Sequence, residues 1–430
     1  MRKIFLLNVF VVLCAVAAHA DMYDALQDAY DTNPVIAAAR ADVAVARGDL
    51  AAARTGIKPY LGLNANAGLA RTRVFDNDYD TTPTEVGATF QQNVFQGFST
   101  MAKIKGAKSM VDARTAQLYA TEQDVFLSAI NAYIDVLNAD AVLKLNQNNQ
   151  RVLQKYYDQC REKQRVGVYT KTDVAQASAR LSAAKYQTIG ASAEYDNALE
   201  SFRRIYGRVP DAFTDISLTR VADLFPSGVA AADEYAMRHH PAILALESAE
   251  AAARQDITVA RKTRRPSVDV RASAMQINDI PVVDKFRDGR VGLYLSVPLY
   301  DRGAASANVE RVRQTVNGIV AQNQNTRRMV SEQLAQAWNT YQANLGAIDA
   351  AESAVNAAQL ALSGTRDEQA RGRRTVLDVL NAEQELLNAQ VQLTRARHAR
   401  TAAYFAVLAA MGKLTPENLG IDVDGAAEQE

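Results

Sequence analysis

Cysteine is nearly absent, with two in 430 residues. Cys14 lies in an N-terminal apolar run, so Cys160 has no intramolecular partner once that run is removed, and no disulfide framework is possible. Charge of one sign is also missing: 48 basic residues face 48 acidic ones, which excludes the basic excess that nucleic-acid binding requires. Beyond residue 20 no run of 18 apolar residues occurs, so no helix is expected to cross a bilayer. Cys-x-x-Cys, Gly-x-Ser-x-Gly, His-Glu-x-x-His and Gly-rich phosphate loops are all lacking, so no enzyme, cofactor or metal site is expected. His239 and His240 are adjacent, about 100° apart on a helix, and make a poor metal pair. His398 stands alone.

What is present begins with an export signal. Arg2 and Lys3 precede the apolar run Ile4 to Val16, and Ala18-His19-Ala20 supplies a small-x-small cleavage site. Cleavage is expected before Asp21. Residues 1–20 carry two basic residues and no acid, so the mature chain has 46 basic and 48 acidic residues and a formal charge of −2. Export leaves the periplasm, the medium and the outer membrane open as destinations.

The mature chain repeats itself. Asn33-Pro34 matches His240-Pro241 and Lys58-Pro59 matches Arg265-Pro266, both at an offset of 207. Gly167-Val168-Tyr169-Thr170-Lys171-Thr172-Asp173-Val174 matches the segment Gly372 to Val379 at 205, and so does Tyr206-Gly207 with Met411-Gly412. The organisation expected is a signal at 1–20, a first repeat at 21–207, a linker at 208–231, a second repeat at 232–412 and a partly disordered tail at 413–430. Within the tail, disorder is assigned to Gly425 to Glu430.

Each repeat reads alike. A helix spans about Asp24 to Ile57, or Ala232 to Arg264, and a proline ends it. Period-two alternation follows, with Leu61, Leu63, Ala65, Ala67 and Leu69 in one copy and Val268, Val270, Ala272 and Ala274 in the other. A polar loop leads to a second strand through Val86, Ala88 and Phe90, or Val291, Leu293, Leu295 and Val297. Strands of about 9–11 residues suit a tilted bilayer crossing, although a soluble hairpin with one wet face reads the same way. Helices of about 65 residues come next, Phe98 to Arg165 and Ala304 to Arg371, each about 100 Å long. On the last helix of each repeat, Ala177, Ala184, Ala191 and Ala198 match Ala382, Ala389, Ala396 and Ala403 at heptad spacing. Larger residues run three positions ahead of them, as coiled-coil packing requires.

Four strands leave two open edges, which a bilayer forbids, so the chain must assemble with copies of itself. Two, three and four copies give 8, 12 and 16 strands, and strand counting does not choose among them.

This order of elements, with Gly-x-x-Thr-x-x-Asp-Val at the helix turns, resembles the TolC-type outer-membrane efflux and secretion proteins. The resemblance covers Asp21 to about Met411 and is most specific over Gly372 to Glu383. It implies a membrane protein of mixed α and β structure. Three chains would form a homotrimeric 12-stranded β-barrel, four strands per chain, continuing into a long periplasmic α-helical barrel. It also implies an exit duct in the Gram-negative outer membrane, working with a periplasmic adaptor (membrane fusion) protein and an inner-membrane transporter. Outer-membrane lipid would surround the strands. The alternative is a soluble periplasmic coiled-coil scaffold or adaptor.

The resemblance also implies roles at the turns. Asp378 keeps the family's first constriction aspartate, while the second falls on Asn381. Arg374 keeps the gate-lock arginine, and Thr172 and Asp173 keep its partners. The lock tyrosine falls on Gln369. Gly167, Val168, Gly372 and Arg373 are where an adaptor would dock. Asp173 and Asp378 also suit simple helix capping. The basic run Arg261 to Arg265 reads as a solvated, dipole-compensating helix end in preference to a lipid-phosphate contact.

Overall fold

The computed structural model describes residues 19–210 and 212–423, so residues 1–18 of the export signal expected at 1–20, and the tail beyond residue 423, lie outside the described residues. A two-residue strand β1 (His19–Ala20) opens the described chain, followed by α1 (Met22–Thr32) and α2 (Pro34–Thr55). Next come β2 (Tyr60–Ala67), β3 (Ala70–Val74), β4 (Asn77–Thr81) and β5 (Thr84–Gln96). The long helix α3 (Ser99–Arg165) and the final helix of the repeat, α4 (Lys171–Tyr206), complete the first copy. After β6 (Ala212–Phe213), the second copy runs α5 (Val229–His239), α6 (Pro241–Ala260), β7 (Ser267–Ile280), β8 (Val283–Ser296), α7 (Ala304–Ala370) and α8 (Val376–Ala410), and α9 (Pro416–Leu419) closes the chain.

The opening helix expected in each repeat is two helices. Asn33 (ψ 122°) and His240 (ψ 124°) are extended, and each donates its N–H to the carbonyl four residues back, Ala29 and Ala236. The reason is the proline that follows: it has no N–H to donate and its ring pushes the preceding residue out of the helical region. In the second repeat Arg261–Arg264 is a 3-10 turn, separate from α6.

The chain divides into two compact units. One holds the described residues up to Ala37, Thr121–His240 and those from Val330 onward; the other holds Ala38–Ala120 and Pro241–Met329.

The second unit contains the sheet, ordered β2-β5-β7-β8 and antiparallel throughout. Register aligns Leu61, Phe90, Ala272 and Val291 in one cross-strand row, and Gly62, Thr89, Ser273 and Arg290 in the next. Alternation therefore adds up over four strands into one apolar face and one polar face. The apolar face is bare: Leu63 is 83% exposed and Val291 82%. The loop expected between the first two strands is instead an extra hairpin. β3 pairs with β4, and Arg73 donates to Asp78 (2.7 and 3.0 Å). Cross-strand ion pairs let a polar ribbon form without an apolar face.

In the first unit α4 packs on α8. Ala177, Ala184, Ala191, Ala389 and Ala403 are buried there, with Leu181, Phe202, Val379 and Val407 from the bulkier tracks. One 18-residue window of α3 is apolar enough by length and composition to cross a membrane, contrary to expectation, but half of it is buried inside the molecule. Its helix supplies core residues Phe126, Ile130, Tyr133 and Val136.

The linker is anchored at both ends. Phe213 packs edge-on with Phe202 (5.1 Å) and Tyr133 (5.4 Å), and Phe225 stacks on Tyr404 (4.3 Å) and Trp338 (5.9 Å). Tyr133 and Trp338 are equivalent in the repeat, so each copy pins one end of the linker with an aromatic cluster. The tail folds as far as it is described: Leu414, Leu419 and Ile421 are buried, and Gln27 exchanges hydrogen bonds with the Asp422 backbone (2.7 and 3.1 Å).

Candidate functional site

The turns joining α3 to α4 and α7 to α8 are built alike, both within the first unit. Gly167 (φ 77°) and Gly372 (φ 75°) take the left-handed conformation that ends each long helix. Beyond them Val168 N donates to Lys163 O and Arg373 N to Glu368 O, each at 2.9 Å, satisfying carbonyls that the helix leaves open. A capping box then starts each following helix. Thr170 accepts from Asp173 N, and the Thr170 N–H and hydroxyl both donate to Asp173 (2.9 and 2.8 Å). Thr375 and Asp378 repeat this at 2.8 Å for both donors. The Thr-x-x-Asp spacing dictates the arrangement, because Ncap and N3 face each other across one helical turn.

Asp378 is thus a helix cap. The Thr375 backbone and side-chain donors, helped by the Arg374 charge, hold its carboxyl below the usual carboxylate range. Within the chain Arg374 reaches neither Thr172 nor Asp173; its Nε donates to Glu368 (2.9 Å), and both side chains are about half exposed. Thr172, Gly167, Val168, Gly372 and Arg373 lie exposed at the turns. Asn381 accepts from Arg180 (2.6 Å), which links α8 to α4.

The structure joins residues that the sequence reading kept apart. Gln369 donates to the Tyr169 hydroxyl, and the Lys163 ammonium sits 4.9 Å from the centre of the Tyr169 ring. Gln369 and Tyr169 come from different repeats, so the bond ties the two turns together. One turn farther from the tip, Arg366 forms an ion pair with Glu383, a carboxylate only 7% exposed, and Tyr156 bonds the same guanidinium. Burial, the largest cause, pushes the Tyr156 hydroxyl up. Glu383 carried a signal: Val376, Leu380, Glu383 and Leu387 share one helical face, so a carboxylate there must be paired. Arg366 carried none. Cys160 packs with Leu181, Ala184, Val376 and Leu380, and burial raises its thiol pKa. Among the described residues no group of three or more His, Cys, Asp or Glu side chains is placed to hold a metal ion.

The site is a pair of helix turns cross-linked by polar side chains, which suits a mechanical contact. The outer membrane efflux protein profile matches residues 25–208 and 234–413, one match per repeat. The outer membrane efflux protein BepC of Brucella suis biovar 1 (strain 1330) is 30% identical over 402 residues, covering 93% of this chain and 87% of the relative. The outer membrane protein TolC of Escherichia coli (strain K12) is 26% identical over 410 residues, covering 91% and 82%. The crystal structure of the Campylobacter jejuni CmeC outer membrane channel superposes with a TM-score of 0.83 at 16% identity, covering 95% of this chain and 88% of that one. The chain belongs to the outer membrane efflux protein family, a family of ducts and not of enzymes, and it is an outer-membrane exit duct with a periplasmic part.

Proposed function

We propose that three copies of this chain close a 12-stranded barrel in the outer membrane, continuing into a periplasmic α-helical barrel that conducts substrates outward from an inner-membrane transporter and its periplasmic adaptor. The observation that carries this is the sheet. Its edges, β2 and β8, run antiparallel to one another through the alternating order of β2-β5-β7-β8. The β8 edge of one copy therefore continues into β2 of the next without breaking the pattern, and closure removes every edge. A soluble scaffold would leave Leu61, Leu63, Val291 and Leu293 bare to water, each 69% exposed or more. The number three follows the family, since the strands alone accept other closures.

In this reading the repeats at 21–207 and 232–412 supply one hairpin and one helix pair each. The turns form the periplasmic end. Asp378 faces the constriction, with Asn381 in place of a second acid. Arg374 locks the tip against Thr172 and Asp173 of a neighbouring copy, and Gln369 with Tyr169 braces each copy. Gly167, Val168, Gly372 and Arg373 receive the adaptor. The duct has no chemistry of its own and needs no cofactor.

Cysteines placed on the two edges test this. In a Cys160→Ser background, Leu63→Cys with Leu293→Cys is expected to crosslink separate chains into a ladder ending at three. A chain that stays monomeric after oxidation rejects the barrel, and a ladder ending at two or four rejects the trimer.

A further inference from the structure

The basic run before β7 lies in the 3-10 turn that follows α6 directly, with Arg261, Lys262 and Arg264 in its last turn. The last turn of α6 contains no basic residue, because the run lies beyond it in the 3-10 turn. Its side chains reach across to the other connectors. Lys262 donates to Gln96 (3.1 Å), Arg264 to Ser306 (3.1 Å) and Arg265 to the Gly97 carbonyl (3.0 Å). All three acceptors are neutral, so the bonds position these cations without cancelling them.

Register places the four connectors at one end of the sheet, since Gln96 pairs with Ser267 and Ser267 with Ser296. Segments 57–60, 96–98, 261–266 and 297–303 together contain six basic residues, Lys58, Arg261, Lys262, Arg264, Arg265 and Arg302, and one acid, Asp301. Asp301 is occupied, accepting from Gly303 N (3.0 Å) and Ala305 N (2.8 Å). At the other end of the strands, segments 68–85 and 278–288 hold four basic and seven acidic residues. The sheet therefore has one end at a net charge of +5 and one at −3.

Aromatic residues flank the basic end. Phe95 shares a row with Val268 and Leu295 on the apolar face and meets Phe98 edge-on at 5.2 Å. Arg265 lies over the exposed Phe98 ring at 5.5 Å. An aromatic ring beside a cation, just where an apolar face ends, matches the depth at which lipid phosphates lie.

We infer that this helix-side rim of the sheet is a binding collar for anionic phospholipid headgroups in the leaflet nearer the helices. It rests on the reading that the sheet spans the membrane. A zwitterionic headgroup carries no net charge to meet the +5, so the collar selects phosphatidylglycerol-like lipids over phosphatidylethanolamine. The cations lie on three of the four connectors, four of the six within residues 261–266. Repetition in each copy of the barrel would place such a set at intervals around the rim, as contact with several lipids requires.

The test uses the full protein reconstituted into phosphatidylethanolamine vesicles with or without phosphatidylglycerol, then extracted and stripped of loose lipid. Lys58→Gln, Arg261→Gln and Arg302→Gln are combined, because all three are exposed and have no packing role. Wild type is expected to retain phosphatidylglycerol about tenfold above its bulk share. The triple variant is expected to retain it at bulk share, while Lys58→Arg with Arg261→Lys and Arg302→Lys behaves as wild type. Equal retention by wild type and triple variant overturns the collar, and so does retention abolished by inorganic phosphate at the same concentration. If the protein enters neither kind of vesicle, the membrane reading of the sheet falls and the collar with it. Normal insertion without lipid preference removes the collar alone.

Discussion

Arg366 on α7 is paired with Glu383 on α8, and the carboxylate it meets is 7% exposed. Removing the arginine strands a buried charge, whereas removing both groups does not. Arg366→Ala is expected to cost about 2 kcal/mol, below the range for a fully enclosed pair because Arg366 itself is half exposed. Arg366→Met with Glu383→Leu is expected to recover most of that. Hydrogen exchange of the amides from Leu380 to Leu387 reads the difference as the opening free energy of α8.

Cys160 reports on the same region. The thiol is 1% exposed, and burial raises its pKa, so maleimide labelling of the wild type is expected to be slow. In Arg366→Ala labelling is expected to quicken on the order of tenfold, as opening becomes more frequent. An unchanged rate would mean that the pair does not hold the tip together.

Arg374→Ser is expected to raise single-channel conductance. The exposed Arg374–Glu368 pair contributes only about 0–1 kcal/mol to stability, so the effect comes from freeing the tip and not from unfolding it. Conductance at the wild-type level would put the lock elsewhere, with Gln369 and Tyr169 the next pair to alter.

Asp173 and Asp378 hold the same capping geometry, which separates capping from lumen charge. Asp378→Asn is expected to weaken block by multivalent cations, and Asp173→Asn to leave block unchanged. Equal loss in both variants would assign the effect to the caps.

Acid weakens the fold through His240. Burial lowers its pKa from 6.5 to about 4. The unfolded chain therefore takes up the proton first, and the contribution is fully present above pH 6.5. It is lost progressively as pH falls from 6.5 to about 4, by about 3 kcal/mol in all. His240→Asn, which copies Asn33 of the other repeat, is expected to flatten this dependence. Fluorescence of Trp338, the one tryptophan, follows the denaturation midpoint at each pH.

Much of the fold was legible because its signals are local. Pro59 and Pro266 end the opening helical segment of each copy, alternation marks the strands, and Thr-x-x-Asp marks the start of α4 and α8. The helix break at Asn33 and His240 was equally local but was overridden, because the apolar period continues in phase across Pro34 and Pro241. The extra hairpin β3–β4 escaped because its stability comes from pairs such as Arg73 with Asp78, which leave no apolar period.

At the tip, the residue types were readable and their partners were not. Gln369 and Tyr169 lie 200 residues apart, and so do the side chains that Asn381 and Arg180 bring together, 201 apart. Sequence alone determined the duplication, the helix and strand types and the caps, because each follows from backbone sterics or periodicity within one segment. Only the tertiary structure decided that Arg366 would neutralise Glu383, that Arg374 would turn to Glu368, and that the basic run would reach across to Gln96, Gly97 and Ser306. Those choices depend on which helix faces meet and on how far each side chain can reach, and neither quantity is written in the spacing of residues along one chain.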